Sequence, residues 1–366
     1  MARAEPFLDA DGLARLRLIR TSSVGPIAFA ALLARFGTAQ AALDAIPDLA
    51  RRGGGSAPRV PALADAQREA DAVQRAGGSY LFLGRPDYPA LLAEAEGAPP
   101  VLMVAGDTAL LARPLVAMVG ARNASAAAIR FARQIAAELS ERGYVVVSGL
   151  ARGIDTAAHR GALAGGTIGV VAGGLDIFYP PENEPLQREM QAHGLVLTEQ
   201  PPGTEPHARH FPARNRIIAG LSLGTLVVEA APKSGSLITA RLAGDYGREV
   251  MAVPGSPLDP RAQGCNQLIR DGATLIQSVA DISEALSPFG NHRVAAPAAP
   301  FVSESTGDAS DRDRKILLPL LGPVPVPIDE LLRQSGLAPA SLQLLLLELE
   351  LAGRLVRHAG ARVSLD

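Results

Sequence analysis

The sequence is poor in cysteine and aromatic residues. Cys265 is the single cysteine, which excludes an internal disulfide and a cysteine-rich zinc site. We interpret Cys265 as a small, half-buried residue of a protein that folds in a reducing compartment. Tryptophan is absent and aromatic residues make up only 4% of the chain, which limits the number of rings that a binding surface could offer to a ligand.

Long apolar runs are also lacking. The N-terminus has no apolar core of the kind found in secretion signals, and no run is long enough to span a bilayer as a helix. We therefore expect a soluble, cytoplasmic protein that does not enter a membrane.

Lysine is nearly absent, since it occurs only at positions 233 and 315, and arginine carries almost all of the positive charge. The formal net charge is −2. This value argues against a basic coat for duplex DNA over the whole surface, but it leaves a local basic groove open.

The chain has 366 residues, which is too long for one ordinary hydrophobic core, so we predict several domains. Composition and periodicity predict a helical domain, an α/β domain, a flexible linker and a winged-helix-like domain. Their predicted bounds are residues 1–60, 61–290, 291–311 and 312–366.

The predicted N-terminal domain contains helical segments joined by a tight connection at residues 22–26. Pro26 stands where a helix can begin. Such a helix–turn–helix can present backbone amides to a phosphate, but we favour the alternative of a small helical bundle that packs on a neighbouring domain. The Gly- and Pro-rich residues 51–61 indicate a linker.

In the middle of the chain, short apolar segments alternate with segments of helical periodicity. This alternation is typical of a doubly wound parallel sheet, with helices on both faces. We predict strands at residues 80–83, 101–105, 115–119, 144–147, 167–171, 195–198, 225–229 and 249–253, and helices at 64–76, 124–142, 156–164, 185–193, 217–223 and 237–246.

The C-terminal region follows a Pro-, Ala- and Ser-rich segment that predicts a flexible linker. Three helices at residues 312–321, 327–335 and 340–352 and a hairpin at 354–364 have the order of a winged-helix domain. Because the charge is roughly balanced and the third helix is very apolar (LQLLLLELEL), we favour packing or protein contact over DNA reading for that helix.

Ligands bind to an open parallel sheet at the carboxyl ends of its strands. The loops at that edge of the predicted sheet are residues 120–123, 148–155, 173–180, 207–216 and 233–236. One anion needs one or two cations, whereas several cations along an edge fit the backbone of a polyanion. The cations on these loops are Arg122, Arg152, Arg214, Arg216 and Lys233.

The loop of Lys233, Ser234, Gly235 and Ser236 lies between a predicted strand and a predicted helix. The first amides of that helix lack internal partners, its dipole favours negative charge, and the serine hydroxyls add donors. Gly235 allows a ligand to approach the backbone closely. We therefore predict an anion-binding loop.

Some of these residues also have structural interpretations. Arg152 could pair with Asp155, or Asp155 could cap the helix that it begins. Glu229 would be costly to bury alone, so we expect Arg214 or Arg216 to pair with it. Each arginine alone is better explained by structure than by function, and only their clustering indicates a binding surface.

No catalytic or metal-binding motif stands out. Gly-Ala-Arg-Asn follows the strand at 115–119 in place of G-x-G-x-x-G, and a Walker loop, metal-ligand spacing and a nucleophile elbow are all absent. We interpret His159 as structural. His207 and His210 lack further metal ligands but could approach a phosphate. We therefore expect a binding protein with no catalytic residues, cofactor or metal.

A series of ordered motifs runs through residues 81–286: VGAR (119–122), SGLARGID (148–155), AHRGAL (158–163), GGLDIFYP (173–180), FPARNRIIAGLS (211–222), VVEAAPKSGSLITA (227–240) and VPG (253–255). With these motifs the chain resembles the DprA/Smf family of DNA-processing proteins. The flanking regions resemble accessory domains of that family, which implies a SAM- or helix-hairpin-helix-like helical domain at the N-terminus and a winged-helix-like domain at the C-terminus.

This resemblance implies a protein without enzymatic activity that binds single-stranded DNA through an extended Rossmann-like fold. It also implies a homodimer that loads the RecA recombinase onto incoming strands in natural transformation and helps overcome single-strand-binding protein. Its implied DNA-contact residues are Arg122, Phe211, Asn215, Arg216, Lys233, Gly235 and Ser236.

Within that set, Arg122, Arg216 and Lys233 would hold phosphates and Phe211 would stack on a base. Phe178 and Tyr179 are lesser stacking candidates. Ala208 stands where some family members have a basic residue, so affinity would depend more on His207, Arg209 and His210. With so few aromatic residues, we expect phosphate contacts to dominate and sequence preference to be small.

Two other functions remain alternatives. Residues 223–229 (LGTLVVE) are faintly similar to the signature of lysine-decarboxylase-like nucleoside monophosphate hydrolases, although Ser222-Leu223 stands where that signature has Pro-Gly-Gly. In such a hydrolase, Glu229→Gln would abolish ribose release. A winged-helix regulator with a ligand-sensing Rossmann domain would instead require sequence-specific duplex binding by residues 312–366.

Overall fold

The computed structural model describes residues 7–290, 309–358 and 360–366. The chain divides into two compact units, one of Met1–Arg68 with Pro297–Asp366 and the other of Glu69–Ala296. Most of the predicted linker, residues 291–308, lies outside the described residues, and Ser310 already caps the next helix.

The helices of the described residues are α1 (Ala10–Ile19), α2 (Pro26–Phe36), α3 (Ala39–Arg52), α4 (Leu63–Arg75), α5 (Ala90–Ala93), α6 (Ala126–Glu141), α7 (Ile154–Ala162), α8 (Glu184–His193), α9 (His210–Leu221), α10 (Gly235–Asp245), α11 (Gln263–Arg270), α12 (Val279–Gly290), α13 (Asp311–Leu317), α14 (Ile328–Ser335) and α15 (Pro339–Leu351). The strands are β1 (Gly78–Phe82), β2 (Val101–Gly106), β3 (Leu115–Val119), β4 (Val145–Ser148), β5 (Thr167–Val170), β6 (Leu195–Thr198), β7 (Gly224–Val227), β8 (Glu249–Ala252), β9 (Thr274–Leu275), β10 (Val326–Pro327), β11 (Leu355–His358) and β12 (Arg362–Leu365).

The first nine strands form one sheet in the order β1-β2-β6-β5-β4-β3-β7-β8-β9. Helices α6, α7 and α12 pack on one face and α9, α10 and α11 on the other. Because both faces are covered, β3, β4 and β7 are buried along their whole length and consist mostly of apolar residues. The predicted doubly wound α/β fold is confirmed.

The sheet is not parallel throughout. From β6 to β9 all neighbours in the sheet run parallel, whereas β2 pairs antiparallel with both β1 and β6. The sequence pattern predicts the positions of β1 and β2 but not the reversed direction of β2, since apolar strands of either direction look alike.

The direction in which the sheet is wound changes between β3 and β7. The chain adds β4, β5 and β6 on one side of β3, then returns to place β7, β8 and β9 on the other side. The loops after β3 and β7 therefore lead to helices on different faces, which opens a crevice between them. This topological switch point positions the candidate site.

Two helix starts near the switch point differ from the prediction. Helix α9 begins at His210, seven residues before the predicted start at 217, and thus includes Arg214, Asn215 and Arg216. Pro212 lies in its first turn, where no backbone donor is needed. Helix α10 begins at Gly235, with Ser234 as its N-cap. Helices α11 and α12 and the short β9 were not predicted.

The other unit has a single core to which both ends of the chain contribute. Buried side chains of α2 and α3, such as Phe29 and Ile46, belong to the same cluster as Leu345 and Leu349 of α15. The apolar face of α15 therefore packs within this unit, as favoured from its composition. Strands β10, β12 and β11 form the predicted hairpin with one added strand.

The C-terminal end of α3 lies directly against α15. A Cβ atom on Gly53 would stand only 2.0 Å from the carbonyl oxygen of Glu348, and Arg354 Nη1 donates a hydrogen bond of 3.1 Å to the Gly53 carbonyl. The Glu348 carboxylate is 1% exposed and pairs with Arg314 at 2.9 Å. Glycine is thus required at position 53 for this close approach.

Among the described residues, no single helix is long and apolar enough to cross a membrane, and only α2 and α3 taken together, bent by 106°, satisfy the same criterion.

Candidate nucleic-acid interface

A cleft of about 630 Å³ opens at the switch point. Its walls are the loop after β3 (residues 120–123), the first half of α9, and the loop and first turn between β7 and α10 (residues 231–239). Arg261, from the segment after β8, also lines it. Asp155, from the loop after β4, lines the cleft as well, so four of the five loops predicted at the carboxyl edge of the sheet meet in one place.

The anion-binding loop predicted from the sequence forms one wall of the cleft. Ser234 caps α10 by accepting a hydrogen bond from the Ser236 amide, and the two serine hydroxyls lie 2.8 Å apart. The space around Gly235 is open, since no atom of the described residues lies within 4 Å of where its Cβ would stand. The first turn of α10 can thus receive an anion.

Lys233 adds a positive charge to this wall. Its side chain is exposed and lines the cleft. Its φ of 68° lies in the left-handed region, which residues other than glycine rarely adopt and which costs about 1 kcal/mol or more. The backbone of Lys233 makes the sharp turn that leads from β7 into α10.

Phe211 and Arg122 meet at the wall formed by α9. The Arg122 Cζ atom lies 5.2 Å from the centroid of the Phe211 ring, in cation–π contact. Tyr179 also contacts Phe211, with ring centroids 5.8 Å apart, whereas Phe178 contacts Arg188. Phe211 is therefore placed in the cleft as expected, and Tyr179 is the better placed of the two lesser stacking candidates.

Asn215 joins α9 to the anion-binding loop. Its side-chain amide donates a hydrogen bond of 3.3 Å to the carbonyl of Gly235. The amide therefore fixes the distance between the helix that carries Phe211 and the loop that carries Lys233.

Arg214 lines the cleft but is engaged in the protein interior. It is buried, and its Nη1 donates to the Val170 carbonyl at 2.9 Å. Burial lowers the pKa of Arg214 to about 10, against the opposing effect of the Asp155 carboxylate. Gly149 makes room for the guanidinium, since a Cβ there would lie 1.6 Å from it. We conclude that Arg214 supports the wall of the cleft.

Asp155 neither caps a helix nor pairs with Arg152. Its carboxylate accepts hydrogen bonds from the amides of Gly149 and Ala151, at 3.1 and 3.3 Å. Burial raises the pKa of Asp155, and the charge of Arg214 and these amides act in the other direction. Both structural interpretations of Asp155 were therefore wrong, because the carboxylate turns back to the loop that precedes α7.

Two predicted cations lie away from the cleft. Arg216 forms an ion pair with Glu199, and each side chain is 18% exposed. Arg152 is exposed and lies 3.6 Å from Glu182. The sequence did not show that Arg216 lies away from the cleft, because the predicted helix began after it. On α9, residues 214 and 216 lie on different sides of the helix.

The two histidines also lie outside the cleft walls. His210 is buried and His207 is exposed, with ring centroids 5.4 Å apart. Burial, followed by the charge of Arg209, lowers the pKa of His210. His210 Nδ1 accepts from the His207 amide at 3.3 Å, so this pair stabilises the approach to α9.

Glu229 has different partners from those expected. Its carboxylate accepts from the amide and hydroxyl of Ser125, at 3.1 and 2.7 Å. Arg261, and neither Arg214 nor Arg216, is its ion-pair partner, at 3.9 Å. Ser125 caps α6, so Glu229 connects the end of β7 to the start of the helix that follows the loop of Arg122.

Two interpretations outside the cleft can be compared with the structure. His159 is structural as expected, because it is buried and its Nδ1 lies 2.8 Å from the Thr167 hydroxyl. Cys265 is fully buried, and not half-buried as expected. The described residues contain no cluster of three or more side chains that could hold a metal ion.

The lining residues that sequence reasoning missed include Ile238, Thr239 and Arg261. Ile238 and Thr239 lie in the first turns of α10, within three residues of the predicted Ser236. Arg261 could have been found from the same rule, because β8 is also a parallel strand whose carboxyl end lies at this edge.

Comparison with known proteins gives consistent matches along the chain. The family model "DNA recombination-mediator protein A" matches residues 79–287. Models of the DprA-like N-terminal HHH domain and the DprA winged helix domain match residues 9–72 and 299–361. The DNA processing protein DprA of Bacillus subtilis is 43% identical over 232 residues, which cover 63% of this chain and 76% of that protein.

Two solved structures share the fold. DNA processing protein A from Streptococcus pneumoniae superposes with a TM-score of 0.62 at 35% identity, covering 76% of this chain and 98% of that chain. A structure that describes the single-stranded DNA binding mode of DNA processing protein A from Helicobacter pylori has a TM-score of 0.53 at 32% identity, covering 57% and 96%. The chain therefore belongs to the DNA recombination-mediator protein A (DprA/Smf) family.

Proposed function

We propose that this chain binds single-stranded DNA in the switch-point cleft and mediates recombination by loading RecA onto incoming strands in natural transformation. Family membership supports the mediator role. The Helicobacter pylori relative, with its described mode of single-strand binding, supports the nature of the ligand. The proposal places the protein in the cytoplasm, where incoming strands meet RecA.

One arrangement carries the proposal: a helix N-terminus, two cations and a half-buried aromatic ring line the same cleft. Lys233, Arg122 and the first amides of α10 supply the groups that hold phosphates. Phe211 supplies an aromatic surface, and a base stacked on such a surface contributes about 1–3 kcal/mol.

The same arrangement favours single strands over duplex. A ring can stack only on a base whose face is free, and in duplex DNA the faces are covered by neighbouring pairs. The net charge of −2 provides no general attraction for a duplex. Phosphate contacts with few base contacts predict little dependence on sequence.

The partners that we propose for the protein are suggested by the family to which it belongs and not by the geometry of the cleft. We propose a homodimer that acts with RecA and displaces single-strand-binding protein.

The hydrolase alternative gains no support from the described residues. Its required carboxylate, Glu229, is 8% exposed and is engaged by Ser125. We therefore propose a protein that binds DNA without catalysing a reaction.

The direct test is fluorescence anisotropy of a labelled oligothymidylate, compared with a duplex of the same length, over a series of salt concentrations. The expected result is preferential single-strand binding whose logarithmic affinity falls with the logarithm of salt concentration, with a slope of about −0.7 for each phosphate contacted. No binding, or equal binding of the duplex, would refute the proposal.

The mediator role needs a separate test. RecA-catalysed strand exchange on DNA coated with single-strand-binding protein should be stimulated by the wild type and not by Lys233→Glu. Stimulation that persists in that variant would show that the cleft is not needed for loading.

A further inference from the structure

Arg261 is a cation of the cleft that the motifs of the family do not include. It lies between β8 and α11 and lines the same cleft as Arg122 and Lys233. Its side chain is 45% exposed. Building on the proposed function, we propose that Arg261 is an additional phosphate-binding residue, held in place by Asp259 and transferred to a DNA phosphate when a strand enters the cleft.

The guanidinium of Arg261 is oriented through one edge only. Its Nε and Nη2 donate to the two carboxylate oxygens of Asp259, at 3.1 and 2.8 Å. The Arg261 amide donates to Asp259 as well, at 2.9 Å. Within the described residues no contact engages Nη1, so part of the fork is available to an incoming acceptor.

Glu229 places Arg261 relative to the loop of Arg122. Its carboxylate lies 3.9 Å from the Nε of Arg261 and is fixed by two hydrogen bonds from Ser125. Ser125 begins α6, directly after the loop that carries Arg122. Arg122, Lys233 and Arg261 therefore follow three strands that are neighbours in the sheet, β3, β7 and β8. A polyanion that crosses the switch point would pass all three cations.

The exchange from carboxylate to phosphate is energetically accessible. Asp259 is partly exposed, and ion pairs near the surface contribute little to stability because water screens them. A phosphate offers the same bidentate geometry to arginine. Asp259 thus competes with a DNA phosphate for the guanidinium of Arg261. Until the phosphate replaces it, the negative charge of Asp259 opposes DNA binding.

The chain contains a matched control pair. Arg241 and Asp245 form an exposed ion pair on α10 at 3.8 Å, in the same unit but away from the cleft walls. The experiment measures oligothymidylate binding by anisotropy for Arg261→Gln, Asp259→Asn, Arg241→Gln and Asp245→Asn, with thermal unfolding of each variant. Asparagine at 259 retains an oxygen that can accept from the Arg261 amide.

The two cleft variants should have effects of opposite sign. Arg261→Gln should weaken binding roughly three- to tenfold and make the salt slope shallower by about 0.7. Asp259→Asn should strengthen binding, because the competing carboxylate is lost. The change in affinity of each cleft variant should exceed that of the corresponding variant on α10, since we expect Arg241 and Asp245 to contact no phosphate.

The outcomes separate this inference from the proposed function. Weaker binding by both cleft variants would mean that the pair only anchors its loop, and would overturn the role of Arg261. Equal binding by Arg261→Gln and Arg241→Gln would overturn it as well, while single-strand binding by the wild type stands. Absence of wild-type binding would overturn both proposals together.

Discussion

The guanidinium of Arg122 lies over the ring of Phe211, although the two residues come from the loop after β3 and from α9. A cation–π contact at an exposed site contributes about 0.5–1 kcal/mol, which is less than a base stacked on the same ring. In the proposed complex we therefore expect a base to compete for the ring and the displaced Arg122 to bind the adjoining phosphate.

Replacing Phe211 should reduce affinity without changing its salt dependence. We expect Phe211→Leu to weaken oligothymidylate binding by about 1–3 kcal/mol, because the ring and not a charge is lost. Anisotropy over a salt series measures both quantities. Phe178→Leu is the control, since the Phe178 ring contacts Arg188; equal losses in the two variants would contradict the stacking role.

Arg216 should affect stability more than binding. Its ion pair with Glu199 is largely buried, so Arg216→Gln leaves a carboxylate without its partner and should destabilise the protein by roughly 1–3 kcal/mol. Arg160→Gln, which breaks an exposed pair with Glu189, should change little. Denaturant unfolding measures the free energy of unfolding of both variants. A shallower salt slope for Arg216→Gln would instead favour the phosphate contact implied by the family motif.

Gly53 should be intolerant of any side chain. A Cβ there meets the backbone of α15, so Gly53→Ala should destabilise its unit by roughly 1–3 kcal/mol. Gly322→Ala is the control in the same unit, because a Cβ at Gly322 has open space. Thermal unfolding of the full chain compares the two. Equal stability of the two variants would show that α3 and α15 can separate at little cost.

Buried His159 should make the protein less stable in mild acid. Burial, aided by the charge of Arg214, lowers the pKa of His159 to about 3, below its ordinary value near 6.5. Between these values the unfolded chain binds a proton that the folded protein does not. Stability should therefore fall as pH falls from about 6.5 towards 3, by at most about 1.4 kcal/mol per pH unit.

The contribution of His159 can be isolated by comparing variants. His159→Gln should lose this part of the pH dependence, whereas His193→Gln, at an exposed position, should keep it. The measurement is denaturant unfolding at several pH values. An unchanged slope in His159→Gln would show that other groups cause the acid sensitivity.

The sequence predicts the main sheet and the position of the loop between β7 and α10 well, because both depend on local patterns. Buried parallel strands are continuous apolar runs, and the turn from β7 into α10 has its own signature in Lys233 to Ser236. Whether an individual arginine lines the cleft or forms an ion pair elsewhere depends on contacts between residues far apart in the sequence. Arg214 and Arg216 are two residues apart, yet one lines the cleft and the other pairs with Glu199.

Residues that lie far apart in sequence account for the remaining differences. Glu229 accepts a hydrogen bond from Ser125, and Gly53 lies against the backbone of Glu348. The periodicity of the sequence does not predict such contacts. Arg261 follows a strand whose loop was not included among the candidates, and the prolines and glycines around it gave no helical or strand pattern.

The central claim is that Lys233 and the cleft hold single-stranded DNA. Lysine occurs only at positions 233 and 315, so Lys315→Glu on α13 is a control with the same change of charge. In anisotropy over a salt series, Lys233→Glu should lose at least about tenfold in affinity with a shallower slope, while Lys315→Glu binds like the wild type. Equal affinity of the two variants would contradict the account.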